Sequence, residues 1–245
     1  MKVIKCKFKN IDNNDLNTLK HTKCILLISV GQEVHEGNRL LATIDLLNTA
    51  LFSTCVISLY DSLQRYSMAL PNKNTADFFH DKAVKEGDAW IERNKKYYEQ
   101  LTMPIEILRW DMWRNHPQFF TQKEMLLSYL EKDKMYKMAF EITINKYLHR
   151  YCNHLNQEIN FDMERARKLC FEYALEECVI FCLWAELKCQ YEIYPNVHNE
   201  AMEATRKRFI VSQYPGLLKP LTLRFRNAPQ LKPQKFPVVL ENLCS

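Results

Sequence analysis

Three side chains, Ser29, Tyr173 and Glu177, have the types and settings to do chemistry. Ser29 closes the apolar run Lys23 to Val30, KCILLISV, at the strand end where open α/β sheets place their ligand crevice. A hydroxyl there can serve as an acyl acceptor if a neighbour takes its proton. The stretch Ile28-Ser29-Val30-Gly31-Gln32 lacks the first glycine of a G-x-S-x-G elbow, and serine at a strand end is also an ordinary turn residue. Glu177 is the compositional anomaly. At 100° per residue, Ala166, Cys170, Tyr173, Ile180, Phe181 and Trp184 fall within roughly 40° of it on one helical face, so a carboxylate stands in an apolar stripe. Burying it alone is costly, which calls for a buried Arg or Lys or for the ammonium group of a ligand; the spacing leaves both open. Tyr173, one turn earlier, presents its hydroxyl on the same side.

Two further patterns involve charge. Lys82, Lys85, Arg93 and Lys96 lie within roughly 80° of one another on a helical wheel, a basic stripe fit for phosphates. Their i,i+4 partners, Lys82 with Glu86 and Glu92 with Lys96, also suit a solvated face. From Leu187 to Tyr194, Leu187, Cys189, Tyr191 and Ile193 alternate with Lys188, Gln190, Glu192 and Tyr194. In a strand, Glu192 and Tyr194 therefore share a face. Glu192 therefore lies wherever Tyr194 faces, or else pairs with Lys188 or a nearby Arg.

Other chemistries are not supported. His149 and His154 are five apart, no H-E-x-x-H occurs, His35, His80 and His116 have no ligand-like companions, and the nine cysteines contain no CxxC pair; no metal is expected. Gly31 and Gly37 are not followed by Lys-Ser or Lys-Thr, and four glycines are too few for a dinucleotide fingerprint. A chain of this class without a nucleotide loop suggests a substrate that arrives already activated, and no cofactor is expected.

The elements that must position these residues follow from the hydrophobic pattern. The run ending at Ser29 is a strand buried on both faces. A polar turn through Asn38 leads to helical spacing from Arg39 to Phe52, then to a second buried strand, Cys55 to Tyr60. The unit repeats: a helix from Asp77 to Leu101 before Ile105 to Trp110, and helices over 121–152 and 162–185 before CQYEIYP. The expectation is an α/β, Rossmann-like, doubly wound domain with a mostly parallel sheet flanked by helices. Five of the nine prolines lie between Pro215 and Pro237, which predicts irregular or edge-strand wrapping there.

A chain of 245 residues that is 47% hydrophobic suits one core, hence one domain over 1–245. The longest apolar stretch, Cys178 to Ala185, is too short to span a bilayer, and nine cysteines without an export signal fit reduced thiols in the cytoplasm. The net charge of +5 is uneven: Ala204 to Leu240 carries eight Lys or Arg and no Asp or Glu. A polyanionic partner is one reading of such a run; taken alone, the run favours a solvated basic tail.

Taken in order, these segments resemble the tRNA-dependent cyclodipeptide synthase family over nearly the whole chain. Cys24-Ile-Leu-Leu-Ile-Ser29-Val-Gly is similar to its first strand with a nucleophilic serine. Tyr60-Asp61-Ser62-Leu63-Gln64-Arg65 is similar to the segment after its second strand, and Tyr173-Ala-Leu-Glu-Glu177 to its Y-x-x-x-E helix. Tyr194-Pro195 is similar to the Tyr-Pro dipeptide of one of its two large subfamilies; Gln32 stands where the other has Asn. The sequence departs from the family at Leu27, where many members have Gly, at Lys23 in place of His, and at Val179 in place of Pro. The resemblance implies a fold similar to the catalytic domain of tyrosyl- and tryptophanyl-tRNA synthetases. It implies an ATP-independent aminoacyltransferase that joins the amino acids of two aminoacyl-tRNAs into a 2,5-diketopiperazine through aminoacyl- and dipeptidyl-Ser29 esters. In this reading Glu177 and Tyr173 hold the substrate amine and Tyr194 relays protons. Ile25, Leu27, Gln32, Leu59 and Glu192 border the substrate, and Lys82, Lys85, Arg93 and Lys96 meet the tRNA backbone. A monomer that binds RNA, neither DNA nor membrane, is expected.

Three other classes fit less. An amino-acid-activating synthetase needs a His-x-Gly-His-like turn and a Lys-Ser loop, and His35-Glu-Gly-Asn38 is a poor match. A non-catalytic tRNA-binding module has no use for Ser29 or Glu177. A serine hydrolase needs a charge-relay histidine, and nothing selects one.

Overall fold

A computed structural model describes residues 3–154 and 162–228. Six strands, β1 (Lys5–Phe8), β2 (Lys23–Ser29), β3 (Thr54–Tyr60), β4 (Ile105–Arg109), β5 (Tyr191–Tyr194) and β6 (Lys219–Arg226), form one sheet in the order β1-β6-β5-β2-β3-β4. Only the β1–β6 pair is antiparallel. The apolar runs of β2 and β3 are buried on both faces, as a parallel strand between helices must be. Helices α1 (Gly37–Ala50) and α3 (His80–Tyr98) cover one face. Helices α5 (Phe119–Lys132), α6 (Lys134–His154), α7 (Met163–Leu183) and α8 (Glu200–Thr205) cover the other, with the short α2 (Arg65–Ala69) and α4 (Trp110–Arg114).

The strand period of two sorts the side chains. Ile25, Leu27, Val56 and Tyr60 enter the core beneath α5–α8, while Cys24, Leu26, Ile28, Ile57 and Leu59 enter the core beneath α1 and α3. Ser29 continues the first set. The chain then turns sharply: the Gln32 N–H donates to the Ser29 carbonyl at 3.2 Å, and Gly31 takes φ +85°, a conformation strained for a residue with a Cβ.

Helix α7 is the axis of the site. Asp162 caps it by accepting from the Arg165 N–H at 3.0 Å, and from Ala174 to Phe181 every residue is buried. A helix buried all round lies inside the fold, among α5, α6 and α8. With roughly 1.5–3 kcal/mol from each large apolar side chain buried, it is held firmly.

The structure alters several expectations. The segment 121–152 is two helices, broken at Asp133, whose Oδ1 accepts from the Met135 and Tyr136 N–H groups and so starts α6 anew. Trp110 begins α4 rather than ending β4. The expected wrapping or edge strand is corrected: Lys219–Arg226 is an interior strand between β1 and β5, with Pro220 at its second residue. The rest of the basic, proline-containing run, from residue 229 on, lies outside the described residues. Strand β1 and helix α8 carry too short a pattern to have been expected.

Candidate functional site

At the carboxyl ends of β2, β3 and β5 a cavity of about 190 Å³ opens toward α6 and α7. Ser29 and Tyr194 meet on its floor, their hydroxyl oxygens 3.1 Å apart. The Tyr194 ring stacks on His35, centroids 5.6 Å apart. Burial pushes His35 down to about 3, so a neutral imidazole braces the tyrosine. Across the cavity, α7 presents Tyr173 and Glu177. Glu177 Oε2 accepts from Asn199 Nδ2 at 3.0 Å and from the Tyr147 hydroxyl at 3.3 Å. Asn199 also donates to the Tyr147 oxygen at 2.8 Å, and its Oδ1 caps α8 by accepting from the Met202 N–H. The expected alternatives for Glu177 were a buried Arg or Lys or a ligand ammonium. Among the described residues its hydrogen-bond partners are two neutral groups, and a buried arginine, Arg65, binds the adjacent Glu176 instead.

Burial raises Glu177 to about 7, because its two hydrogen bonds and the nearby His198 charge only partly compensate lost water. Burial, and then the Glu177 charge, hold Tyr60, Tyr147 and Tyr173 well above the ordinary tyrosine value. Burial likewise raises Tyr194, partly offset by its bond with Ser29. These hydroxyls stay protonated at neutral pH and can pass protons without carrying charge.

Ser29, Leu27, Gln32, Tyr173, Glu177, Glu192 and Tyr194 all line this cavity. Two residues expected there do not. Ile25 is fully buried in the core under α5–α8, and Leu59 points to the opposite core under α1 and α3, because its place on β3 is out of phase with Tyr60. Glu192 and Tyr194 share a face, as alternation requires. The Glu192 partner is neither Lys188 nor an arginine but His198, whose Nε2 lies 2.7 Å from Oε1. Burial opposes charge on His198, yet the Glu192 and Glu203 carboxylates outweigh it and raise the imidazole to about 10.

Lys82, Lys85, Arg93 and Lys96 lie along α3, away from the cavity lining. The pairs Lys82–Glu86 and Glu92–Lys96 are not formed; Arg93 is held by Glu36, through Nη2 at 2.6 Å and Nε at 3.1 Å, and Lys96 sits over the Tyr97 ring. Helix α3 packs closely at Gly87, where a Cβ would come within 2.6 Å of Asp61 Oδ2. Asp61 in turn accepts from Arg109 Nε at 2.6 Å.

Sequence reasoning missed Tyr147, Arg150, His198 and Asn199. They come from α6 and from the loop into α8, and only the N-cap preference of Asn199 left a trace. Among the described residues no group of three or more His, Cys, Asp or Glu is placed to hold a metal ion, and no helix is long and apolar enough to cross a membrane.

No family model matches the sequence, and no match emerges among curated proteins. Solved structures do match. A cyclodipeptide synthase from Fluoribacter dumoffii is 36% identical with a TM-score of 0.86, over 92% of this chain and 99% of that one. A cyclodipeptide synthase from Candidatus Glomeribacter gigasporarum, solved bound to Phe-tRNAPhe, is 18% identical with a TM-score of 0.72, over 86% and 90%. A Mycobacterium tuberculosis protein, whose structure relates cyclodipeptide synthetases to type I tRNA synthetases, is 12% identical with a TM-score of 0.61, over 91% and 93%. The last two share the fold, and the first, at its identity and coverage, establishes that this chain belongs to the cyclodipeptide synthase family.

Proposed function

We propose that this protein joins the aminoacyl groups of two aminoacyl-tRNAs into a cyclodipeptide, with Ser29 as the acyl carrier, and that it belongs to the Tyr-Pro subfamily. The observation that carries this reading is the Ser29–Tyr194 contact of 3.1 Å in a cavity whose opposite wall holds Glu177, hydrogen-bonded among the described residues to neutral donors.

An aminoacyl-tRNA is an activated ester, so moving its acyl group to Ser29 exchanges one ester for another without ATP. Ser29 Oγ attacks the carbonyl carbon, the bond to the terminal ribose oxygen breaks, and the Ser29 proton passes to that oxygen through the Tyr194 hydroxyl, held neutral by burial. Glu177, with Tyr173 beside it, receives the substrate ammonium, a cation that its hydrogen-bond partners among the described residues do not supply. With Glu177 near 7, it holds the ammonium as a carboxylate or takes its proton to free the amine. The second aminoacyl-tRNA attacks the Ser29 ester through its amine, forming the peptide bond as the acyl–Oγ bond breaks and the amine proton returns to Ser29, which leaves a dipeptidyl-tRNA. Ser29 takes the dipeptidyl group from the second tRNA, and the terminal amine then attacks that ester, closing the ring and releasing Ser29. Lys82, Lys85 and Lys96, unpaired by carboxylates among the described residues, suit contact with tRNA phosphates better than Arg93, which Glu36 already occupies.

Expression in a bacterial host, with mass spectrometry of the medium, should reveal diketopiperazines absent from an empty-vector control. Incubation with the matching charged tRNA should leave one aminoacyl group on Ser29, and Ser29→Ala should lose both adduct and product. Full yield from the alanine variant would sink the covalent route.

A further inference from the structure

We propose that Arg150 grips the phosphate nearest the aminoacyl ester, the one on the 5′ oxygen of the terminal tRNA nucleoside, at the mouth of the cavity. The inference deepens the synthase reading and rests on it. Apart from the histidine described above, Arg150 is the only cationic residue among the described residues that line the cavity. His198 is already committed, held between Glu192 at 2.7 Å and Glu203 at 3.7 Å. Arg150 is not. No carboxylate pairs with it among the described residues, whereas two other cations at α6, Lys146 on it and Arg167 against it, are each held by one, Glu200 and Glu141.

Arg150 is exposed yet oriented. Its guanidinium lies 4.7 Å over the Tyr147 ring, and Nε donates to the Lys146 carbonyl at 3.4 Å, which leaves the two terminal nitrogens for a ligand. Its charge also acts on Tyr147, Tyr173 and Tyr194, which surround the reacting groups. A ligand that brings its ester to Ser29 brings a phosphodiester one ribose away. The planar, always charged arginine fork suits two phosphate oxygens. Because the Tyr147 ring that supports Arg150 carries the hydroxyl that donates to Glu177, phosphate and amine are gripped by groups joined through one side chain.

The test compares two small substrates that differ only in that phosphate, 3′-O-aminoacyl-adenosine 5′-monophosphate and 3′-O-aminoacyl-adenosine, by the rate of ester formation on Ser29. Wild-type protein should prefer the phosphorylated form by roughly ten- to a hundredfold, as for a charge-assisted hydrogen bond. Arg150→Ala should collapse that preference toward unity, and Arg150→Lys should keep part of it. With charged tRNA, Arg150→Ala should also lower the slope of log affinity against log salt by about 0.7–0.9, one phosphate contact. A wild-type protein indifferent to the phosphate, an Arg150→Ala variant with the wild-type preference, or an unchanged salt slope would each overturn the proposal. If charged tRNA leaves no ester on wild-type Ser29, the synthase reading itself falls, and this proposal with it.

Discussion

Glu176 and Glu177 are adjacent on α7 and almost equally buried, at 7% and 6% exposure, yet they sit in opposite chemical situations. The 100° step from one residue to the next sends them to different sides of the helix. Glu176 receives Arg65 through Nη1 at 2.9 Å and Nη2 at 2.5 Å, Trp110 Nε1 at 2.7 Å and the Tyr66 hydroxyl at 3.1 Å, with Arg114 at 3.6 Å. Glu177 receives two neutral donors and faces the cavity. A carboxylate enclosed by cations ties α7 to α2 and α4. A carboxylate given only neutral partners keeps an affinity for a cation or a proton, which is what a site that handles amines needs.

The comparison can be broken at either residue. Arg65→Ala strands the Glu176 charge in the core and should cost about 3–5 kcal/mol of stability, read as a lower urea midpoint. An apolar pair at both positions, Arg65→Met with Glu176→Leu, should recover most of it. A small loss in Arg65→Ala would mean that the pair is not structural. Glu177→Gln should leave the fold intact and reduce dipeptide formation by about a hundredfold or more. Its stability should also respond to pH. In the folded state Glu177 holds its proton up to about 7, against an ordinary carboxyl value near 4.5, so between those limits the folded state binds more protons. Wild-type stability from this group is therefore full below about 4.5 and is lost as pH rises toward 7, by roughly 3 kcal/mol. Relative to wild type, the glutamine variant should gain on going from pH 5 to pH 8; parallel curves would return Glu177 to an ordinary carboxylate.

Glu177 was legible in the sequence and its partners were not, for a physical reason. A charged residue in an apolar helical face is visible locally through the 3.6 period, whereas which of two neighbouring glutamates meets an arginine depends on where α2 docks, 111 residues away in sequence. The buried strands β2 and β3 and their end at Ser29 were read from continuous apolar runs, and the shared face of Glu192 and Tyr194 from alternation. The other wall of the cavity was not: Tyr147 and Arg150 lie on α6 among polar residues without a marked stripe, and His198 and Asn199 sit in a loop whose helix has six residues. Leu59 shows the limit from the other side, since resemblance brought it to the substrate and the phase of its strand turns it away.

Glu192 stands between the two glutamates, and it offers the smallest expected effect. Its Oε1 is paired with His198 at 2.7 Å, as Glu176 is paired with Arg65, but its Oε2 is buried without a hydrogen-bond partner, beside the cavity. An unmatched acceptor disfavours an apolar side chain and favours a donor or a cation. Glu192→Leu should therefore move the product profile from polar or basic residues toward Leu, Phe or Met, by roughly ten- to a hundredfold in relative yield. The same change removes the main partner that raises His198. In wild type, His198 is charged up to about 10 when folded and to about 6.5 when unfolded, so its contribution is full below about 6.5 and fades as pH rises toward 10. The variant should lose most of that alkaline decline. If the decline disappears while the product profile and yield stay as in wild type, Glu192 serves His198 as Glu176 serves Arg65, and substrate choice is made elsewhere in the cavity.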